Sequence, residues 1–275
     1  MRALAPALFP GRAWALDFVE LHDWRECFPL ALHAAQQGAW AVVAVGGDGT
    51  INQVSQALTG SACRLGVIAA GTGNGYARAL GIPLDTAGAC AVIVKGRSQR
   101  LDHVLLDQGR GYANMLGIGW DAWIAVRANE LRWMNRFSGF MRYLAAAFLC
   151  LNHLRPQRLL IQMGKRKIEG RFMVVAVANS PQYGFGCTIA PMASLDDGLL
   201  DVVLVPLTGP ITFARNAIRL FTRRPLLGAS FYRTASLSIH SLEGRELAIH
   251  LDGEPGGTTP AVIKVQKRAL NVLMP

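Results

Sequence analysis

The residues Gly46-Gly47-Asp48-Gly49-Thr50 have the types and spacing to do chemistry. They follow an apolar run, residues 39–45, that reads as a buried strand, and precede Ile51-Asn52-Gln53-Val54, which reads as a first helical turn. A strand that stops at two glycines and turns into a helix sets bare backbone N–H groups beside a crevice, where a phosphate chain can sit. Asp48 adds a carboxylate that could handle a metal ion or a proton. Gly71-Thr72-Gly73-Asn74-Gly75 repeats the arrangement after a second strand-like run, residues 65–70. Two such loops on neighbouring parallel strands build one wall of a nucleotide site at the carboxyl edge of a sheet. The chemistry implied is phosphoryl transfer or phosphate recognition.

Two acidic turns could complete such a site. Asp196-Asp197-Gly198-Leu199-Leu200-Asp201 leads into a strand, and Leu251-Asp252-Gly253-Glu254 ends one. Asp-Gly pairs form turns by default. Beside two glycine loops they also supply what a kinase needs: a carboxylate for Mg²⁺ and another to take the proton of an attacking hydroxyl. Other chemistries find no match. There is no GxxxxGK[ST], GxSxG or HExxH, and the six histidines share no metal-ligand spacing. Gly117-Ile118-Gly119-Trp120-Asp121-Ala122 fits a dinucleotide fingerprint but reads as a tight connection.

The elements that must position these residues change character along the chain. Up to about residue 105 strand and helix signals alternate: a strand at 14–20, a helix at 30–37, the two glycine-loop units, and a helix at 86–95. That order predicts a parallel sheet with helices on its faces. Beyond it come short strand candidates at 101–106, 111–116, 158–163, 172–178, 200–206, 236–240, 246–251 and 261–266, which predict an antiparallel sandwich or barrel. A long helical stretch, 122–154, and a shorter one, 211–221, interrupt them. The first mixes Arg127, Arg132, Arg136 and Arg142 with Trp133, Phe137, Phe140 and Tyr143, which suits either a mouth opening on a membrane or a helix covering the core. Lys165-Arg166-Lys167 reads as a solvated hairpin tip.

The bulk properties agree. The 275 residues allow one large or two modest domains, and the net charge of +10 favours an anionic partner. Five scattered cysteines without a CxxC argue against a disulfide framework or zinc site and fit a reducing cytoplasm. The longest strictly apolar run, residues 144–151, is far short of the about 20 needed to cross a bilayer, so membrane contact is expected to be peripheral.

The stretches GGDGTINQV (46–54), GTGNGYARALGIP (71–83), NMLGIGWDA (114–122), ANSPQYGFG (178–186), APMASLDDGLLDVVLV (190–205) and LDGE (251–254) together resemble the diacylglycerol kinase catalytic-domain family, including sphingosine kinase-like lipid kinases. GGDGT is shared with NAD kinases; the later stretches, in this order, are more specific. The resemblance implies an N-terminal three-layer α/β domain with a parallel sheet, here residues 1–105. A C-terminal antiparallel β-sandwich for the lipid substrate follows, residues 106–275, with the extreme C-terminus returning to the first domain. It implies an ATP- and Mg²⁺-dependent lipid kinase. ATP would meet Gly46, Gly47, Asp48, Gly49, Thr50, Ile51, Asn52 and Thr72. Mg²⁺ would be held by the Asp197 side chain with the carbonyls of Ser194 and Leu199, and Asp102 would support that network. The proton acceptor falls at Asp252 or Glu254, and the sequence leaves that choice open. A lipid partner, peripheral contact with an anionic inner-membrane surface from the cytoplasmic side, and no nucleic acid are expected; a homodimer is left open.

The family's opening strand and Asn-Pro-x-Ser-Gly loop have no counterpart in residues 1–10. Its usual Asn-Asp in the second glycine loop is here Asn74-Gly75, and Gln53 stands for the usual glutamate. These departures keep two rivals in play: a catalytically weak lipid- or nucleotide-binding protein on the same scaffold, and an NAD-kinase-like enzyme.

Overall fold

The structure, a computed structural model, describes residues 15–21, 23–131, 133–134 and 139–275. Alternating elements open the chain: α1 (Cys27–Gln36), β1 (Ala41–Gly46), α2 (Asp48–Leu58), β2 (Arg64–Ala69), the short α3 (Gly75–Ala79) and α4 (Thr86–Lys95). β1 and β2 pair in parallel, Ala41 opposite Arg64 through Gly46 opposite Ala69. Leu65, Gly66, Val67 and Ile68 are all buried, so both faces of β2 are covered, as continuous apolar strands of a layered α/β sheet require. Gly66 lets α4 pack close to the strand, because a Cβ there would meet Val43 at 3.1 Å and Ile93 at 3.3 Å. Asp85 caps α4 by accepting from the Gly88 N–H at 2.8 Å.

Strands then dominate: β3 (Arg97–Leu106), β4 (Gly111–Tyr112) and β5 (Met115–Gly119) precede helices α5 (Trp120–Glu130) and α6 (Gly139–Leu149). The hairpin β6 (Gln157–Met163) and β7 (Arg166–Phe172) follows, then β8 (Val174–Ala178), β9 (Gln182–Gly184), β10 (Cys187–Thr188) and β11 (Leu200–Val205). The last elements are α7 (Pro210–Phe221), β12 (Ser230–Thr234), β13 (Ser236–Ser241), β14 (Ala248–Leu251), β15 (Glu254–Thr258) and β16 (Ala261–Met274). One sheet runs β12-β11-β8-β5-β14-β15. Its alternate residues separate cleanly: Val202 and Leu204 face the core shared with β3, β6, β13 and β16, while Val203 and Val205 face a core that Phe213 and Leu220 of α7 close. The second half is therefore an antiparallel sandwich with a helical cover.

β3 and β16 form one long antiparallel ribbon through both halves, from Ile263 opposite Leu106 to Met274 opposite Arg97. Leu101, Leu270, Val272 and Leu273 lie in the first core; Val104, Leu106, Ala261 and Ile263 lie in the second. The C-terminal part of β16 also pairs in parallel with β2, Asn271 opposite Arg64. The ribbon bulges between Gln266 and Leu270, and there the Arg268 N–H donates to the buried Asp102 carboxylate at 2.7 Å.

Four expectations change. The strand expected over 111–116 divides into β4 and β5, with Ala113 and Asn114 turning between them. Residues 15–20 form no strand, and Trp14 lies outside the described residues. The helical stretch 122–154 divides into α5 and α6, with Arg132, Arg136 and Phe137 outside the described residues. The strand expected over 172–178 breaks at Met173, whose burial in a third core, the one that α7 closes, marks where the chain crosses from the sheet of β7 to that of β8.

Candidate active site

The two glycine loops touch. Gly47 and Gly71 are backbone to backbone, with no room for a Cβ on Gly71. A side chain on Gly46 would strike Thr50 Oγ1 at 2.6 Å. Asn74 takes the left-handed conformation (φ 49°) and closes the second loop on itself, accepting from the Gly71 N–H and donating to the Gly71 carbonyl, both at 3.0 Å. Asp48 accepts from the N–H groups of Gly75 and Tyr76, each at 3.1 Å. Burial raises its pKa, and those N–H groups act against the rise. The aspartate of GGDGT is thus the strap between the loops. Its carboxylate is engaged with the start of α3, which disfavours the metal or proton role open in the sequence.

Gly47, Asp48, Gly49 and Thr50 stay half-buried at the loop surface, and Thr72 is exposed beside Gly139 at the start of α6. Ile51 and Asn52 do not join them. Ile51 is fully buried in the first core, and Asn52 donates to the Gly111 carbonyl at 3.2 Å inside the joint between the halves.

Gly75 explains itself sterically. A Cβ there would lie 2.7 Å from the Tyr183 carbonyl and 3.0 Å from Asn114 Nδ2. The space of the family's usual carboxylate is filled by β9 and by the loop before β5.

The Leu251–Glu254 turn is clamped atom by atom. Asp252, left-handed at φ 51°, accepts from the N–H groups of Ala113 (3.2 Å), Asn114 (3.2 Å) and Met115 (2.7 Å). Burial pushes its carboxyl up to about 7; the N–H donors pull it down and Asp48 adds to the rise. The Gly253 N–H donates to His250 Nδ1 at 3.3 Å, and Asn129 Nδ2 donates to the Gly253 carbonyl at 2.9 Å. His250 Nε2 lies 3.2 Å from Asp121 Oδ2, which also accepts from the Tyr183 hydroxyl at 2.8 Å. Glu254 leaves this clamp towards the first loop: a Cβ on Gly49 would sit 3.8 Å from its Oε1. The two carboxylates therefore separate by geometry, Asp252 facing inward as a clasp and Glu254 facing the glycine loop across the cleft.

α6 closes the mouth. Tyr143 brings its hydroxyl to Gly253 and feels Arg142, Glu254 and Asp48 electrostatically; burial is the main cause of its raised pKa. The Arg142 guanidinium lies 5.0 Å from the Tyr143 ring, is buried, and has an Nε without a hydrogen-bond partner among the described residues. A buried guanidinium beside two carboxylate-bearing loops is suited to an anionic ligand.

The expected metal loop is arranged differently. Asp197 accepts from the Leu199 N–H at 2.9 Å and pairs with Arg233. Ser194 Oγ donates to Asp196 at 2.7 Å. Among the described residues no group of three His, Cys, Asp or Glu could hold a metal ion. With both Asp197 oxygens engaged, this donor set does not fit Mg²⁺ as it stands. Asp102 does support the loop: it accepts from the Gly198 N–H at 2.6 Å, and its own N–H donates to the Leu195 carbonyl at 2.6 Å.

The sequence reading missed Asp121, Tyr183 and His250, and took Arg142 and Tyr143 as residues of either a membrane mouth or a helix covering the core. Gly117-Ile118-Gly119-Trp120-Asp121 carried a signal, since Gly117 leaves room for the Asp121–His250 pair.

Comparison with known proteins gives the family. Residues 10–106 match the diacylglycerol kinase catalytic domain model, and residues 114–274 match the YegS C-terminal NAD kinase beta sandwich-like domain model. The chain belongs to the diacylglycerol kinase family. It is 31% identical over 271 residues to a diacylglycerol kinase of Mycobacterium tuberculosis, covering 94% of this chain and 85% of that one. It is 28% identical over 232 residues to a "Probable lipid kinase YegS-like" of Xanthomonas euvesicatoria, covering 81% and 74%. The fold is shared with a solved diacylglycerol kinase from Bacillus anthracis, with a TM-score of 0.73 at 20% identity over 98% of this chain and 88% of that one. The cleft of this family member is thus the junction between its two matched domains.

Proposed function

We propose that this family member is a lipid kinase that transfers the γ-phosphate of ATP to the primary hydroxyl of a lipid of the diacylglycerol or sphingoid class. ATP would supply the phosphoryl group, and a divalent cation arriving with the nucleotide would offset phosphate charge. The chain's own part is positioning and proton removal. Glycines at 47 and 73 keep side chains off the loop backbone, so that phosphate oxygens can approach it. Glu254 takes the proton from the lipid hydroxyl, and Arg142 offsets negative charge in the cleft. Asp252, His250 and Asn129 keep the Glu254 turn rigid. The reading includes peripheral contact with an anionic membrane from the cytoplasmic side.

The observation that carries it is the position of Glu254, delivered by a clamped turn onto the Gly49 backbone. The test is labelled-ATP turnover with Mg²⁺ against diacylglycerol, sphingoid base and ceramide in mixed micelles, with NAD as the soluble control. Glu254→Gln lowers kcat by about 10²–10⁴-fold with an unchanged melting temperature, while Asp252→Asn acts through stability. Wild-type turnover in Glu254→Gln, or transfer to NAD alone, refutes the reading.

A further inference from the structure

α7 carries two apolar stripes on opposite faces. Phe213 and Leu220 pack on the third core with the buried Asn216. The other stripe, Ile211, Ile218 and Phe221, points away from the protein; Ile211 is 70% and Ile218 65% exposed. α6 repeats the design. Gly139, Arg142 and Ala146 face inward, while Phe140, Leu144 and Phe148 form an outward stripe on which Phe148 is 72% exposed. The stripes meet where the Phe140 and Phe221 rings pack edge to face with centroids 6.0 Å apart. Two surface helices joined by exposed phenylalanines make an apolar patch of the kind that marks an interaction surface.

The charge around the patch selects the occupant. Residues 131–168, which include α6, contain no Asp or Glu; residues 202–242, which include α7, contain none either, and Arg215, Arg219, Arg223 and Arg224 lie on α7 or just after it. Apolar side chains flanked by cations and free of carboxylates fit a surface with an oily interior and anionic headgroups. Nor does the patch end at the surface. Phe140 packs on Phe185 (5.9 Å), Phe185 on Tyr143 (5.5 Å), and the Tyr143 hydroxyl reaches Gly253. An aromatic path connects the exposed helices to the Glu254 turn.

We infer that α7 is an interfacial membrane helix: with α6 it seats the mouth of the cleft on an anionic phospholipid bilayer, and acyl chains enter along the Phe221–Phe140–Phe185–Tyr143 path. This deepens the lipid kinase reading and rests on it for the identity of the cargo, but the docking itself is measured without ATP. The experiment is co-sedimentation of the full chain with vesicles of phosphatidylcholine, with and without phosphatidylglycerol. The wild type sediments with the anionic vesicles. Ile211→Asn/Ile218→Asn loses binding by at least ~10-fold because it removes inserted side chains. Arg215→Glu/Arg224→Glu loses the preference for phosphatidylglycerol. Both variants keep the wild-type melting temperature and full turnover of a short-chain, water-soluble diacylglycerol. If the Asn variant fails to fold, the Glu variant decides. A wild type that stays in solution with anionic vesicles overturns the inference, as does unchanged sedimentation of the folded variants. A dimer in sedimentation velocity that the Asn variant dissociates would assign the patch to a second copy instead, which also overturns it. Failure of all lipid turnover with intact vesicle binding would count against the kinase reading alone.

Discussion

Asp252 and Glu254 sit two residues apart, yet one is buried under three N–H donors and the other faces the glycine loop. Burial pushes the Asp252 carboxyl up to about 7, well above the usual carboxylate range. A carboxyl raised on folding adds stability that is complete below the unfolded pKa and is lost as pH climbs through the folded one. Relative to Asp252→Asn, which does not titrate, the wild type should therefore be more stable at pH 4 than at pH 8. The difference is up to about 4 kcal/mol. His103, a buried imidazole lowered to about 4, works in the opposite direction over the acid part of that window, but it is present in both proteins and cancels. Urea unfolding of the pair at both pH values reads the difference, and a pH-independent gap would contradict the burial of the carboxylate. Gly75 yields a second expectation at this scale. Gly75→Asp restores the family's usual residue but drives a side chain into the Tyr183 carbonyl, 2.7 Å from the new Cβ. It should lower stability by about 1–3 kcal/mol without raising turnover; a gain in kcat would show that the missing carboxylate limits catalysis.

Elements explain what the sequence concealed. The glycine loops and the Leu251–Glu254 turn were legible because each motif is local, a strand and a turn leading into a helix or a second strand, although the sequence left Asp252 and Glu254 undivided. The roles of Asp48 and Asp252 were not, because their partners lie 27 and 139 residues along the chain. No spacing rule reaches from Asp252 to Ala113. The strand breaks at Met173 and in the short β9, β10 and β15 escaped for a different reason: continuous β-branched or glycine-rich runs do not show where a chain changes sheet. Asp102 illustrates the same non-local logic. It ties β3, the 194–199 loop and the β16 bulge together through the N–H groups of Gly198 and Arg268. Asp102→Ala leaves two N–H donors without their acceptor, each worth about 1–3 kcal/mol when buried. The loop carrying Asp197 should loosen with it, so hydrogen exchange at Gly198 and Leu199 should speed up before the rest of β11 does. Unchanged exchange there would mean the loop is held by the Arg233–Asp197 pair alone.

At the scale of the whole molecule, the cleft exists because two cores share one ribbon. Leu270 of β16 is buried in the first core and Ile263, on the same strand, in the second. Neither core can open without breaking ribbon pairs that the other needs, because β3 and β16 stay in register from Arg97–Met274 to Leu106–Ile263 apart from the bulge. This predicts one cooperative unfolding transition for a chain long enough to hold two domains. Leu270→Ala and Ile263→Ala should each cost about 2–5 kcal/mol as buried large-to-small changes. Each should move the entire transition, so the calorimetric and van't Hoff enthalpies stay equal in the wild type and in both variants. If Leu270→Ala instead split off an early transition while the sandwich held, the halves would be independently stable. The cleft would then be free to hinge at the bulge. A single shifted transition means that Glu254 and the glycine loops belong to one cooperative unit, so that a substitution in either core weakens the frame that holds both.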